Sequence, residues 1–171
     1  METWDILDKN GNLTGKTMDK SDKIVWKEGI YHLGADVWII NSDNKILIQK
    51  RSPKKNFRPN VWAMTGGSVI KGETSLETLK RETMEELGIE LDIDKAIKIK
   101  HYRTSNIWLD EYIVEQDVDL NKIILQEDEV CEVKFASFDE IEQLFQNKLF
   151  IDERWEYVRD EIKQFLSQKL S

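Results

Sequence analysis

An α/β fold, with a mixed β-sheet packed between layers of helix, is what the sequence predicts, on three observations. Short apolar runs of strand character lie on both sides of a central segment, residues 74–88, whose apolar positions recur at helical spacing. Two further segments of helical periodicity close the chain. An Asn-Gly turn signal near the start marks a β-hairpin ahead of the main sheet. No repeat, low-complexity stretch or Pro/Gly/Ser linker interrupts the 171 residues, so one domain spanning residues 1–171 is expected.

The elements follow in order. Residues 2–8 alternate as a strand, and Asp8-Lys9-Asn10-Gly11-Asn12 turns the chain back through Leu13 and Thr14. Residues 26–31 carry no clear pattern and are ambiguous. Residues 35–40 form a strand, 41–44 a turn, and 45–51 its antiparallel partner. Residues 52–60 are a basic loop holding both prolines, and 61–65 a short strand that delivers the chain to Gly66-Gly67. A helix begins near Thr74 and stops at Gly88. Residues 90–103 then read as strand, 108–118 as a second, 121–128 as a loop and 130–135 as a third. Ser137-Phe138-Asp139-Glu140 has the layout of a capping box, opening a helix with Ile141, Leu144 and Phe145 inward. Asp152 is placed as the cap of a last helix reaching about Leu166, with Trp155, Val158, Ile162 and Phe165 turned to the core.

Composition narrows the function. A net charge of −8 argues against a broad nucleic-acid-binding surface. Small phosphorylated ligands remain, because a bound metal and a few local lysines or arginines reverse the potential inside a pocket. The single cysteine, Cys131, allows no internal disulfide, suits a reducing compartment and is expected to be a small buried residue. The first twelve residues lack the basic-then-apolar layout of a signal peptide, and no apolar run reaches the roughly 20 residues that span a bilayer. A cytoplasmic protein with no membrane partner, monomer or homodimer, is expected.

The chemistry concentrates on the central helix. At about 100° per residue, Leu76, Leu79, Thr83 and Leu87 fall on one stripe and Glu82, Glu85 and Glu86 on the adjoining one. Like charges so placed cost a few tenths of a kcal/mol in water, so a solvated acidic face is the simplest explanation of the Glu-Glu pair alone. A hard divalent cation would turn that repulsion into attraction, since Mg²⁺ takes oxygen ligands from carboxylates and substrate phosphates.

More than the pair is present. Gly67, five residues, Glu73, seven residues, Arg81-Glu82, two residues, Glu85-Glu86, one residue, Gly88 and the apolar Ile89 closely resemble the Nudix box, the signature of the Nudix hydrolases. Thr83 stands where that family usually has an aliphatic residue, a change of packing more than of chemistry. The resemblance implies an α/β/α sandwich and cleavage of a diphosphate linked to a second group, usually in a nucleotide derivative. It implies a Mg²⁺ cofactor, with Mn²⁺ as substitute, held by Glu82, Glu85, Glu86 and the backbone carbonyl of Gly67. Arg81 would orient Glu73 through an ion pair, for which a guanidinium offers a planar fork. The general base would be Glu82 or a carboxylate from a later loop, for which Glu129 is the candidate. Among the basic residues Lys50, Arg51, Lys54, Lys55 and Arg58, Arg51 is the candidate for binding substrate, because it ends a strand; the simpler reading is a solvated loop balancing an acidic protein. Trp62 and Trp108 could stack a base, although core packing is expected for both.

Beyond the box, Trp4-Asp5-Ile6-Leu7-Asp8, Tyr31-His32 and Gln49-Lys50-Arg51-Ser52-Pro53 resemble the Nudix branch related to isopentenyl diphosphate isomerase. That isomerase needs a cysteine acid in the strand before the box and several metal-binding histidines. Here that strand reads Asn60-Val61-Trp62-Ala63-Met64-Thr65, and the chain has only His32 and His101. His32 is expected as a pocket-lining or satisfied core residue. Hydrolysis is therefore preferred over isomerisation. A module that binds diphosphate without turnover would fit better had a glutamate of the box been lost, and none is.

Overall fold

A computed structural model of the protein describes residues 2–20 and 29–170. Strands β1 (Thr3–Leu7) and β2 (Leu13–Asp19) form the expected hairpin. Its turn places Gly11 at φ +82°, with the Asp8 carboxylate accepting from the backbone N–H of Asn10 and Asn12. Trp108 anchors this ribbon to the sheet: its indole donates to the carbonyl of Asp8 at 3.1 Å, and its ring lies where a side chain on Gly11 would sit. Trp108 is thus a packing residue, as is the buried Trp62. Of the ambiguous residues 26–31, the first three lie outside the described residues, and Tyr31 bridges to Leu7.

The main sheet is built from β3 (His32–Ile40), β4 (Ile46–Arg51), β5 (Trp62–Ala63), β6 (Thr65–Ser68), β7 (Ile97–Arg103), β8 (Ile107–Glu115) and β9 (Val130–Ala136). It is mixed: β3 runs parallel to β8 along its whole length, and the remaining pairings are antiparallel. On its other edge β3 pairs first with β6, from Gly34 to Val37, and then with β4 at Ile40. The strand carrying Gly66 and Gly67 is therefore laid against the middle of the sheet.

Helices α1 (Ser75–Leu87), α2 (Phe138–Gln146) and α3 (Asp152–Lys169) cover both faces. Alternation along β3 decides which side chain meets which layer. Ala35, Val37 and Ile39 point to α1, where they pack with Leu79 and Leu87; Trp38 and Ile40 point to α3, where they pack with Trp155, Val158 and Ile162. Trp155 is fully buried and Phe165 packs partly buried against the same cluster, so these two aromatics of the last helix belong to the core.

Three local expectations need correction. Residues 90–96 are not strand: Ile93–Lys95 form a 3-10 turn, and the backbone N–H of Asp92 is taken by the Gln116 side chain instead of a neighbouring strand. Asp152 does not cap α3; it is the first helical residue, and Ile151 occupies the cap without a side-chain bond. Cys131 is exposed. The pairing of β4 with β9 shifts between Lys50 and Arg51, whose partners are Glu132 and Val130, and the bulge leaves Cys131 between them turned outward.

Candidate active site

Helix α1 is fixed at both ends by its own sequence. Thr74 accepts from the backbone of Glu77 while Glu77 reaches back to the Thr74 N–H, a complete capping box. Gly88 closes the helix at φ +67°, its N–H bonded to the Met84 carbonyl. Leu79, Thr83 and Leu87 are buried, and the Thr83 hydroxyl donates to the Leu79 carbonyl at 2.6 Å, so a polar side chain sits in the core without an unmet bond. The glutamate stripe then faces β6. A Cβ on Gly67 would collide with the Glu82 carboxylate, and one on Gly66 with Asp36 and the Ala35 carbonyl, so only glycine allows this close approach.

Arg81 organises the first two carboxylates and their neighbour. Its Nε and Nη2 form a fork on Glu73 at 2.9 and 3.2 Å, and Nη1 donates to Glu82 at 3.0 Å and Glu85 at 3.3 Å. Burial alone would raise Glu73, but the bonds from Arg81 and Thr78 outweigh it and leave its carboxyl below the usual range. Glu82 lies above its usual range because burial exceeds the help from Arg81.

Glu86 is the most enclosed of the three. Burial, with the nearby charges of Glu82 and Glu129, pushes its carboxyl up to about 7, against the stabilising bond from Gln49. That bond runs from Gln49 Nε2 to Glu86 Oε2 at 2.7 Å, and the Gln49 carbonyl oxygen in turn accepts from Thr65 at 2.9 Å. Gln49 is thereby the residue that aims Glu86.

Gly67, Glu82, Glu85, Glu86, Glu129 and Arg51 line one pocket of about 320 Å³, together with Lys20 and Lys55. Glu73 and Gly88 stand outside it, on the framework of α1. Glu129 is ion-paired with Lys55 across the pocket wall, and Lys54 pairs with Asp128 at 2.7 Å beside it. Arg51 holds the loop after β4 as well, donating to the carbonyls of Phe57 and Arg58 at 2.9 to 3.2 Å. All the acidic donors are hard oxygens, the set Mg²⁺ prefers. Among the described residues no three acidic, histidine or cysteine side chains are already drawn together for a metal, because Arg81 holds Glu82 and Glu85 and Gln49 holds Glu86. The donor set fits a cation in kind, and rotation of the exposed Glu85 and of Glu82 away from Arg81 would complete it.

Asp36, Glu111 and the largely buried Arg154, behind the site, were not singled out from the sequence. Arg154 of α3 donates to Asp36 at 2.7 Å; Glu111 shares a hydrogen bond with Asp36 and accepts from the Trp38 indole at 2.9 Å and the Tyr102 hydroxyl at 2.8 Å. Burial first, and then Asp36, drive the Glu111 carboxyl well above its usual range. Asp36, Gln49 and Glu111 carried one signal: acidic or amide side chains at inward positions of strongly apolar strands. His32 is buried, stacked on Trp4 at 4.7 Å and bonded to Ser68 at 3.1 Å. Burial, and then the Arg154 charge, lower it to about 4, so it is neutral at pH 7.

Known proteins bear on this arrangement. A sequence model of the NUDIX domain matches residues 30–159. An uncharacterised Nudix hydrolase of Listeria monocytogenes is 38% identical over 88% of this chain and 89% of its own length. An isopentenyl-diphosphate Delta-isomerase of Pectobacterium atrosepticum is 28% identical over 81% of this chain and 78% of its own, in keeping with the branch resemblance. Among solved structures, a Deinococcus radiodurans protein superposes with a TM-score of 0.76 at 21% identity, covering 93% of this chain and 98% of its own. The fold, the helix with its three glutamates against the glycine strand, and these matches place the chain in the Nudix hydrolase family.

Proposed function

We propose that this chain is a Mg²⁺-dependent hydrolase that cleaves the diphosphate linkage of a nucleoside diphosphate derivative or related compound by attack of water on phosphorus. One observation carries the reading: five carboxylates, Glu2 with Glu82, Glu85, Glu86 and Glu129, and Gly67 line the same pocket as Arg51, Lys20 and Lys55. Anionic and cationic groups so interleaved suit a site that takes both a metal and a diphosphate.

Mg²⁺, or Mn²⁺ in its place, would be held by Glu82, Glu85, Glu86 and the Gly67 carbonyl. When bound it supplies polarised phosphoryl oxygens and a water of lowered pKa. The remaining work falls to the chain. Gln49 keeps the Glu86 carboxylate turned into the pocket. Arg51, Lys20 and Lys55 offset the negative charge that would otherwise repel an incoming nucleophile. Glu129, on the pocket wall and paired with Lys55, is the candidate to take the proton from the attacking water, with Glu82 the other choice.

The test is product analysis in ¹⁸O-labelled water with nucleoside di- and triphosphates, dinucleoside polyphosphates and sugar nucleotides. The label is expected in one phosphate-bearing product. Deuterium exchange from solvent into isopentenyl diphosphate, with no labelled phosphate, would instead indicate the isomerase. Tight diphosphate binding with no product would indicate a binding module.

A further inference from the structure

The carboxylate pocket does not stand alone. Arg51, Gly67 and Glu86 also line a second pocket of about 210 Å³, and that one shares Phe57, Ile107 and Arg154 with a third of about 800 Å³. The shared lining residues make the three pockets neighbours, with the carboxylates on the first and the largest of the three volumes in the third. The third pocket is in the size range of small-molecule sites.

We propose that this large pocket binds the ribonucleoside part of the substrate, with the base against Phe57 and Tyr157, the ribose hydroxyls on Glu153, and the adjoining phosphate on Arg154. The proposal rests on the diphosphate hydrolase reading and adds which end of the substrate lies where.

The side chains support each contact. Phe57 is 58% exposed, and a single exposed aromatic needs no explanation by itself. Its backbone, however, is held by the bonds from Arg51, and the next residue, Arg58, is tied to Asp152 at 3.2 Å. The ring is thus presented at the rim at little ordering cost. Tyr157 stacks on Tyr102 at 4.7 Å and is still 44% exposed, which leaves ring surface for a second planar group. Asn106, at the turn between β7 and β8, offers an amide donor and acceptor for a base edge.

Arg154 lines both the second and the third pocket, and so stands between a nucleoside held in the third and the carboxylates beyond the second. Its Nε donates to Asp36 at 2.7 Å, which fixes the guanidinium in the lining that the two pockets share. Glu153 offers acceptor oxygens to sugar hydroxyls, which donate, while Arg103 and Arg154 supply the positive charge of the same pocket.

The test is calorimetric titration of the metal-free protein with AMP, dAMP and inorganic pyrophosphate. AMP is expected to bind more tightly than dAMP. Phe57→Ala, a surface change that spares the core, is expected to weaken AMP about tenfold and leave pyrophosphate unaffected. Glu153→Gln is expected to reduce the preference for AMP over dAMP. No AMP binding, or equal AMP binding in wild type and Phe57→Ala, would overturn the proposal. Hydrolysis of nucleoside diphosphate derivatives with an unchanged KM in Phe57→Ala would overturn the pocket assignment alone. AMP binding lost in the variants, in a protein that hydrolyses nothing, would uphold the pocket and overturn the hydrolase reading.

Discussion

The side-chain amide of Gln49 is fixed from both ends: Thr65 donates to its oxygen, and its nitrogen donates to Glu86 at 2.7 Å. Two strands thereby set the direction of one carboxylate on α1. Gln49→Leu keeps the volume and removes both bonds. The rate kcat is expected to fall by roughly 10- to 100-fold, the range for loss of a group that orients a metal ligand, with an unchanged far-ultraviolet spectrum. An unaltered kcat would show that Glu86 does not need this support.

Arg81 serves three carboxylates at once, which a lysine ammonium cannot do with the same geometry. Arg81→Lys is expected to lower the urea unfolding free energy by about 1 to 2 kcal/mol. Glu73→Gln should add little once Arg81 is changed, because the two act as a pair. Strict additivity in the double variant would argue that they do not.

The glycines of the site separate chemistry from stability. Gly67→Ala forces Glu82 from its place, so activity is expected to fall much more than stability. Gly88→Ala puts a side chain into the left-handed region, at φ +67°, and is expected to cost about 1 kcal/mol with kcat nearly unchanged. Urea midpoints and kcat, measured side by side, distinguish the two.

The reach of sequence reading here follows distance along the chain. The glutamate stripe, both caps of α1 and the Arg81–Glu73 pair lie within one helix and its approach, where spacing dictates neighbours. Asp36 and Arg154 are 118 residues apart and Gln49 and Glu86 are 37 apart, so only the assembled sheet shows that they meet. Leu91 and Ile93 alternate like a strand, yet the backbone of Asp92 bonds to the Gln116 side chain and not to a neighbouring strand. Cys131 is exposed because a bulge adds a residue that simple alternation does not count. The basic loop was legible in charge only; its lysines are met by Asp128 and Glu129.

His32 gives a pH signature. Its folded value of about 4 lies below the unfolded value near 6.5, so the unfolded chain binds the extra proton between them. The stabilisation is complete above the unfolded value and is lost as pH falls toward 4. Between pH 7 and pH 5 this amounts to roughly 2 kcal/mol. His32→Gln should flatten that part of the wild-type urea stability profile; a variant with the same slope would mean that His32 is not the group responsible.

The most direct measurement compares hydrolysis of nucleoside diphosphate derivatives by wild type and Glu86→Gln, with Mg²⁺ and with a chelator. Turnover is expected only in wild type with Mg²⁺, with Glu86→Gln folded and nearly inactive. Full activity in Glu86→Gln, or equal rates in the chelator, would contradict a metal-dependent hydrolase built on the α1 glutamates.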